Sequence, residues 1–322
     1  MGQFASLQTR EVEGFEEFGE VVVGTHREVV QLEHGKLSGR LSHASIGRLR
    51  IDLASFNLGL RTKGASVEDR IVIGMLADSG KRVTRSSYES KPGDVHVSPP
   101  AGEHENRYYG GASVIVASIL PEDIGASFAS EGALGDPAAW RRSHFKGSTY
   151  TVRNVIPRVQ GLVAGLGDAA LNAEAAEFWK RAIIEAMSAS ILDHMSSERD
   201  GPLPSALKIV RQVEEYLDAA EPAPIHISQI CSHMHLSRRT LHRAFEEALG
   251  IGPIAFLRHR RLCAVHSVLR TAQHIRTISD IAIQYGFQNL GRFAGYYHEL
   301  FGEYPSETRR RNFSLVPDVS RQ

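Results

Sequence analysis

Hydrophobic residues change their spacing about halfway along the chain, from strand-like to helix-like. Residues 21–116 contain short runs rich in Val and Ile, separated by Gly, Pro and an Asp-Ser-Gly turn. This pattern predicts β-strands in a small barrel or sandwich. From Asn172 onward, apolar residues recur at helical spacing instead. The sequence therefore predicts an α+β protein with an N-terminal barrel or sandwich and an all-α C-terminal part.

Both flanks of the strand-rich region carry weaker signals. Residues 1–20 contain five glutamates and several phenylalanines, and they are interpreted only as a lead-in. Residues 134–170 are interrupted by Gly and Pro, among them Gly135, Pro137, Gly161 and Gly165, so long regular elements are not expected there. Trp140 and Phe145 are expected to pack inside this N-terminal half.

A strong amphipathic helix is predicted to begin at Asn172. Its apolar stripe has a spacing of four residues and favours either packing on the chain's own barrel or pairing with a second helix. The segment Asp200-Gly-Pro-Leu-Pro204 then predicts a domain boundary. The stripe consists of Trp179, Ile183, Met187, Ile191 and Met195.

The C-terminal part begins with a predicted helix over Ser205–Ala219. Ser228 is expected to cap a short helix, and Ser237 the next one, over Arg238–Leu249. Gly250 is expected to end that helix, which makes the pair a helix-turn-helix motif. A long helix from Pro253 to about Arg270 then spans roughly 25 Å.

A second helix-turn-helix motif is predicted over residues 278–305. Ser279 is expected to cap its first helix, in which apolar residues fall at i, i+3, i+4 and i+7. Gly286 supplies a turn with positive φ, and Asn289 is expected to cap the second helix. In such motifs the second helix enters the major groove of DNA.

The residues of both motifs resemble those of the AraC/XylS family of transcription regulators. The second motif has the order I-A-x-x-x-G-F, then F, then F-G-x-x-P, and the first has L-S-x-x-x-L-x-R-x-F. The matching positions are Ile281, Ala282, Gly286, Phe287, Phe293, Phe301, Gly302 and Pro305, and Leu236, Ser237, Leu241, Arg243 and Phe245.

That resemblance implies an architecture and a set of partners. It implies a cupin-like effector domain over residues 1–171, a dimerisation helix and linker over 172–204, a DNA-binding domain over 205–313, and a tail over 314–322. The implied partners are double-stranded promoter DNA, RNA polymerase, a small-molecule effector and a second copy of the chain. The implied role is that of an activator. The family usually has a glycine in the turn of the first motif, where this chain has His235, a residue that tolerates positive φ better than most.

Composition and charge are compatible with this picture. The 322-residue chain has a net charge of zero, yet residues 205–313 contain 14 Lys and Arg against 10 Asp and Glu. The charge is therefore segregated, as expected if one domain meets phosphates. Two cysteines, Cys231 and Cys263, indicate no disulfide framework. No signal peptide or membrane span is evident, so a cytoplasmic protein with no membrane partner is expected.

The candidate DNA contacts lie at the start of each recognition helix. Arg239, His242 and Arg243 occupy positions that read bases in the family, while Arg238 is expected to meet phosphate. Asn289 and Arg292 are the candidates in the second motif. Gly291 and Gly295 weaken that helix, so this motif is expected to position and bend DNA more than to read it. The alternative is that these residues are solvated charges that do not contact DNA. Arg309–Arg311 likewise either contact the DNA backbone or form a basic tail.

A second set of candidates forms a basic cluster in the strand-rich region. Arginine forks beside a glycine suit phosphates or a guanine edge, an arrangement that resembles the cyclic di-GMP grip of PilZ-type domains. Cyclic di-GMP is therefore the expected effector, with a sugar or another metabolite as the alternative. The other interpretation is a solvated strand edge. The cluster consists of Thr62, Lys63, Gly64, Arg70, Arg82 and Arg85.

No catalytic residues and no resident cofactor or metal are predicted. His96 and His104 lack the clear partners that a metal with three or four ligands needs. The rival class is a cupin-like enzyme with an accessory DNA-binding domain, which detectable metal would support. A third interpretation is a DNA-binding protein whose barrel is an interaction module without a ligand.

Overall fold

The chain divides into a sheet-rich unit and a helical unit. The computed structural model describes residues 4–20, 27–85, 88–127, 144–167, 171–192, 205–219, 225–271 and 276–314. The first unit comprises residues 1–29 and 38–202, and the second comprises residues 30–37 and 203–322. Residues 30–37, expected in the N-terminal domain, therefore belong to the helical unit. The predicted linker at 200–204 lies outside the described residues.

Two sheets account for the strand-rich region and confirm the α+β class. Their orders are β1-β3-β4-β11-β6-β9-β12 and β2-β5-β10-β7-β8, for the strands bounded as follows. The strands are β1 (Ala5–Val12), β2 (Arg27–Gln31), β3 (Gly39–Ile46), β4 (Leu49–Phe56), β5 (Leu60–Ala65), β6 (Ile71–Ser79), β7 (Val83–Arg85), β8 (Tyr88–Ser90), β9 (Val95–Ser98), β10 (Glu103–Tyr108), β11 (Ala112–Ile119) and β12 (His144–Phe145).

Residues 1–20, interpreted from the sequence only as a lead-in, contain the first strand of the seven-stranded sheet. β1 pairs with β3 antiparallel from Ala5 opposite Ile46 to Val12 opposite Gly39. Its cross-strand contacts are partly polar, with Ser6 Oγ 2.8 Å from Ser45 Oγ. Hydroxyl pairs of this kind stabilise a sheet without the apolar alternation by which a strand is recognised in sequence.

Regular structure also occupies part of the region expected to lack it. Within residues 134–170, a π-helical turn (Thr151–Val155) continues into α2 (Ile156–Gly165). Outside this region, the first unit also contains a 3₁₀ turn (Glu16–Glu20), α1 (Pro121–Ser127) and α3 (Ala173–Leu192). Gly165 is the last residue of α2, and a Cβ on it would lie 2.9 Å from the Trp179 ring, so this glycine permits close packing of α2 against α3. Phe145 is buried, whereas Gly135, Pro137 and Trp140 lie outside the described residues.

The main core of the first unit lies between the seven-stranded sheet and helices α2 and α3. Ile183, Met187 and Ile191 of α3 are buried in this core, and Trp179 packs against it. The interpretation that the α3 stripe packs on its own sheet is therefore confirmed for these four residues. Met195 lies outside the described residues.

The helical unit contains both predicted motifs. Its helices are α4 (Ser205–Ala219), α5 (Ile227–His233), α6 (Arg238–Leu249), α7 (Pro253–Thr271), α8 (Ile278–Gln284), α9 (Leu290–Phe301) and α10 (Pro305–Ser314). The predicted bounds of α4 and α6 are confirmed, and α7 ends within one residue of its prediction. Among the helices described, none is long and apolar enough to cross a membrane.

Candidate DNA-binding surface and effector cavity

The first motif is formed by α5 and α6. His226, not Ser228, is the N-cap of α5, because its Nδ1 accepts a hydrogen bond from the Ser228 N–H at 3.3 Å. The observed N-cap therefore lies two residues before the expected one. In the turn, His235 has a φ of 52°, as predicted from its place in the motif. Gly250, with a φ of 70°, ends α6.

Helix α6 buries one face and presents the other to solvent. Its N-cap is Ser237, whose Oγ accepts from the Thr240 N–H at 3.0 Å. Leu241 and Phe245 are fully buried. The opposite face leaves the predicted contact residues available to DNA, and these exposed residues are Arg238, Arg239, His242 and Arg243.

The second motif is formed by α8 and α9. Thr277 caps α8 through a capping box with Asp280, so the expected cap at Ser279 was wrong. Gly286 has a φ of 82°, which confirms the predicted turn. The Asn289 Oδ1 accepts from the Arg292 N–H at 2.9 Å and caps α9. Both Asn289 and Arg292 are exposed, although the Asn289 side chain is committed to the cap.

Three arginines of α7 have internal roles that the sequence did not reveal. The Arg258 guanidinium lies 4.1 Å from the centre of the Tyr296 ring of α9. Arg260 pairs with Asp218 of α4. Arg261 lies 5.0 Å from the Phe287 ring centre and donates a 3.5 Å hydrogen bond to the Gly286 carbonyl. These contacts join α7 to the second motif and to α4.

The basic segment near the C-terminus is partly tied to the fold. Arg311 pairs with Glu303, which also accepts a hydrogen bond from Thr308 Oγ1 at 2.5 Å. Thr308 in turn accepts from the Tyr297 hydroxyl at 2.8 Å. Arg311 is therefore part of the packing of α10 against α9, while Arg310 is exposed.

Residues 30–37 close over the C-terminal end of α9 within the helical unit. Gln31 is buried, and its Nε2 donates to the Leu300 carbonyl at 2.7 Å. The Gly35 N–H donates to the same carbonyl at 3.0 Å. His34 Nδ1 lies 3.5 Å from Glu299 Oε1, and the centre of the His34 ring lies 5.5 Å from that of His259 of α7, with the two ring planes tilted by 55°. Burial, followed by the charges of His34 and Arg258, lowers the pKa of His259 to about 4.

A cavity lies between the inner faces of the two sheets in the first unit. It contains ≈ 760 Å³ of empty space, part of it continuous with solvent. A polar row crosses its wall on the five-stranded sheet, because Thr62 lies opposite Asn106 and Asn106 lies opposite Arg85. Arg85 donates from Nη2 to Ser98 Oγ at 2.8 Å. The apolar lining includes Phe56 and other residues of both sheets.

The six predicted effector residues do not converge on one site. Thr62 and Arg85 line the cavity, whereas Lys63 and Gly64 are not among its lining residues. Arg70 donates instead to the carbonyls of Arg48 and Ser118, at 2.6 and 3.3 Å. Arg82 is half exposed and pairs with Glu89 at 3.3 Å. Asn106 and Ser98 also belong to the polar wall of the cavity, but the sequence prediction did not include them. The alternation of inward and outward residues along the strand could have indicated that Asn106 points inward.

Burial dominates the electrostatics of Arg85. Arg85 is half-buried and lines the cavity, and burial lowers the pKa of its guanidinium from the ordinary value through desolvation. The nearby tyrosines Tyr88 and Tyr108 oppose this effect only in part. Arg85 is thus a poorly solvated cation inside a largely apolar cavity.

The histidines near the cavity are arranged by stacking and hydrogen bonds. His96 Nε2 lies 2.7 Å from Ser90 Oγ, and the His96 ring stacks at 5.1 Å on His144. His144 Nε2 lies 3.0 Å from Asp94 Oδ2. Hydrogen bonds from His144, Gly147 and Lys91 lower the pKa of Asp94 against the effect of burial. Across the described ranges, no group of three His, Cys, Asp or Glu is placed to hold a metal ion.

Comparisons with known proteins agree with the geometry of the helical unit. Residues 230–311 match the family model of a helix-turn-helix domain, HTH_18. The chain is 24% identical over 304 residues to the XylDLEGF operon transcriptional activator 1 of Pseudomonas putida, covering 90% of this chain and 89% of that protein. It is 35% identical over 109 residues to another P. putida XylDLEGF operon transcriptional activator, about a third of each chain (34% and 33%).

A solved structure is similar to part of the chain as well. The probable AraC family transcriptional regulator from Rhodopseudomonas palustris is 39% identical, with coverage of 33% of this chain and 97% of that chain and a TM-score of 0.31. The matched helix-turn-helix domain contains α6 and α9 together with their caps and turns. The chain therefore carries a helix-turn-helix domain of the AraC/XylS type in its C-terminal part.

Proposed function

We propose that this chain activates transcription by binding promoter DNA through its helical unit, under the control of a small molecule held in its sheet-rich unit. The observation that carries the proposal is the exposed basic face of α6 on a capped and well-packed helix. Arginine forks on such a face pair with guanine O6 and N7 in the major groove. Its relatives named as XylDLEGF operon transcriptional activators support activation as the direction of control.

The second motif plays a different part in this proposal. Arg292 is the exposed arginine of α9, and Gly291 and Gly295 leave much of the same surface without side chains. A surface with one strong donor contributes less base recognition than α6 does. We infer that α9 holds the DNA in position while α6 supplies most of the sequence specificity.

The effector proposal rests on the cavity between the sheets. Cyclic di-GMP, expected from the sequence, would find Thr62 and Arg85 there, whereas Arg70 and Arg82 are engaged elsewhere. A sugar or another metabolite is the alternative. Effector binding alters transcription if the effector stabilises one arrangement of domains or subunits over another.

The proposal also includes a homodimer on two adjacent DNA sites and contact with RNA polymerase. Because the α3 stripe is buried in its own unit, a dimer contact requires another surface. Phe178 on the same helix is 69% exposed and is available for such a contact.

Selection from a random-sequence duplex library tests the DNA-binding part. The full-length protein is expected to enrich one sequence motif, and a promoter that carries this motif is expected to be transcribed faster by RNA polymerase when the protein is present. Recovery of a pool indistinguishable from the input library would refute sequence-specific binding. Enrichment with reduced transcription would make the protein a repressor.

A further inference from the structure

An apolar side chain is exposed at the start of the second recognition helix. Leu290 is the first residue of α9 and is 38% exposed. Across α6 and α9, which the structure describes in full, it is the one large hydrophobic residue exposed to solvent. Single exposed apolar residues are common on protein surfaces, so the meaning of Leu290 depends on its place in the helix.

Helices α6 and α9 can be compared position by position. Each has 12 residues, begins after a side-chain N-cap and ends before a glycine with positive φ. Their fourth residues, Leu241 and Phe293, are both buried. Their first residues, Arg238 and Leu290, are both exposed. The N-terminal residues of a recognition helix contact base edges in the major groove, so Leu290 lies where α9 is expected to meet DNA.

The rest of the first turn of α9 leaves Leu290 open to solvent. Asn289 precedes it, and the Asn289 Oδ1 accepts a hydrogen bond from the Arg292 N–H at 2.9 Å. Gly291 follows it, and apart from its own chain neighbours a Cβ there would meet only Asn289 Oδ1 within 4 Å, at 3.6 Å. Arg292 is exposed. This turn therefore presents one apolar side chain and one guanidinium, with no side chain at the position between them.

We propose, on the basis of the DNA binding proposed above, that Leu290 contacts the C5-methyl group of a thymine in the bound promoter. Thymine is the base that presents a methyl group in the major groove, and apolar side chains contact it there. The contact removes two apolar surfaces from water. A leucine placed against the amino or carbonyl edge of another base would instead deprive that polar group of water without replacing its hydrogen bond.

This contact gives α9 a base preference of a different kind from that of α6. The arginines of α6 offer hydrogen-bond donors that suit guanine. Leu290 has neither donor nor acceptor in its side chain, so it distinguishes bases by their apolar surface alone. One methyl group contributes less than a bidentate pair of hydrogen bonds, in keeping with the larger part that α6 plays in specificity.

Duplexes that contain deoxyuridine test this contact, because deoxyuridine is thymidine without the methyl group. Each thymine of the duplex selected by the full-length protein is replaced in turn, and the affinity is measured by fluorescence anisotropy. At one or more positions the replacement is expected to weaken binding by the wild type about 3- to 5-fold, which corresponds to one buried methyl group. Wild-type affinity that is unchanged at every thymine would overturn the proposal.

Variants assign the sensitive thymine to Leu290. At that position Leu290→Ala is expected to bind the thymine and deoxyuridine duplexes with equal affinity, because the side chain that meets the methyl group is gone. Leu290→Met keeps most of the apolar volume and is expected to retain the difference. The matched control is Ile283→Ala, which is also expected to retain it, since Ile283 is a 57% exposed apolar residue of the same motif outside the recognition helix. A difference that persists in Leu290→Ala at every sensitive thymine, or that disappears in both alanine variants, would overturn the proposal.

The same measurements separate this contact from a structural role of Leu290 and from the wider function. If Leu290 only stabilises α9, Leu290→Ala will lower the thermal midpoint and weaken binding to both duplexes in the same proportion. The ratio of the two affinities would then be unchanged, and the proposal would be overturned. A protein that selects a motif in which no thymine methyl matters retains the proposed function and loses this contact, whereas a protein that selects no sequence loses both.

Discussion

His259 is a titratable side chain held neutral in the interior of the helical unit. It is 2% exposed, and burial lowers its pKa to about 4, with His34 and Arg258 adding to the effect. An unfolded histidine has a pKa near 6.5. Above that pH both states are neutral and His259 contributes no pH dependence. As the pH falls below about 6.5, His259 binds a proton in the unfolded chain but not in the folded chain, so the helical unit loses stability.

The pH dependence of unfolding measures this effect. The free energy of unfolding is measured by urea titration from neutral pH down to about pH 4. Over this range the wild type is expected to lose roughly 3 kcal/mol more of it than His259→Gln, because each pH unit between the unfolded and folded pKa values of His259 contributes about 1.4 kcal/mol. The difference between the two proteins isolates His259 from the other histidines. Parallel curves for wild type and variant would show that His259 titrates normally.

Capping residues show how far single positions can be predicted. Ser237 and Asn289 were identified correctly because each directly precedes a long amphipathic helix. Ser279 was expected to cap α8, but Thr277, two residues earlier, does so through a capping box with Asp280. Periodicity locates a helix end only to within a few residues, and hydrogen-bond geometry determines which side chain caps it.

At the scale of elements, α9 is destabilised by two glycines on its exposed face. A Cβ on Gly295 would meet no atom of the described chain within 4 Å, and one on Gly291 would meet only Asn289 Oδ1, at 3.6 Å. Packing inside the unit therefore does not require either glycine. Each costs the helix about 1 kcal/mol relative to alanine.

Alanine substitution tests this account of α9. Gly291→Ala and Gly295→Ala are each expected to raise the free energy of unfolding by about 0.5–1 kcal/mol in chemical denaturation. Gly302→Ala is the matched control, because Gly302 has a φ of 69° and an alanine there is strained. It is expected to lower the same free energy. Destabilisation by all three substitutions would contradict the account.

Strand alternation explains why the predicted effector cluster is dispersed. Thr62 and Arg85 face the cavity, but neighbours in sequence such as Lys63 point to the other face of a strand. Arg70 directly precedes β6 and donates to the carbonyls of Arg48, between β3 and β4, and of Ser118, in β11 of the same seven-stranded sheet as β6. Closeness in sequence therefore identified a basic segment, but it did not show whether the side chains of that segment meet at one site. In the region where long regular elements were not expected, Gly161 lies within α2, and Gly165 is its last residue and makes room for Trp179.

At the scale of the whole molecule, hydrophobic periodicity predicted the sheet-rich and helical parts. It did not predict that residues 30–37 join the helical unit. The hydrogen bond from Gln31 to Leu300 spans 269 positions of sequence, and no local pattern indicates such a contact. The DNA-binding surface was predictable because two adjacent motifs encode it locally, whereas the cavity is assembled from strands distributed over both sheets.

Affinity for the selected duplex, measured in wild type and three variants, tests the central claim of sequence-specific DNA recognition by α6. Arg239→Ala and Arg243→Ala are each expected to lose about 1–3 kcal/mol on this duplex and much less on random DNA, because base contacts carry the specificity. Lys208→Ala is the control, since it removes an equal charge from an exposed position of α4. A specific loss in the two α6 variants alone is the predicted result. Equal affinities of all three variants and the wild type would contradict it.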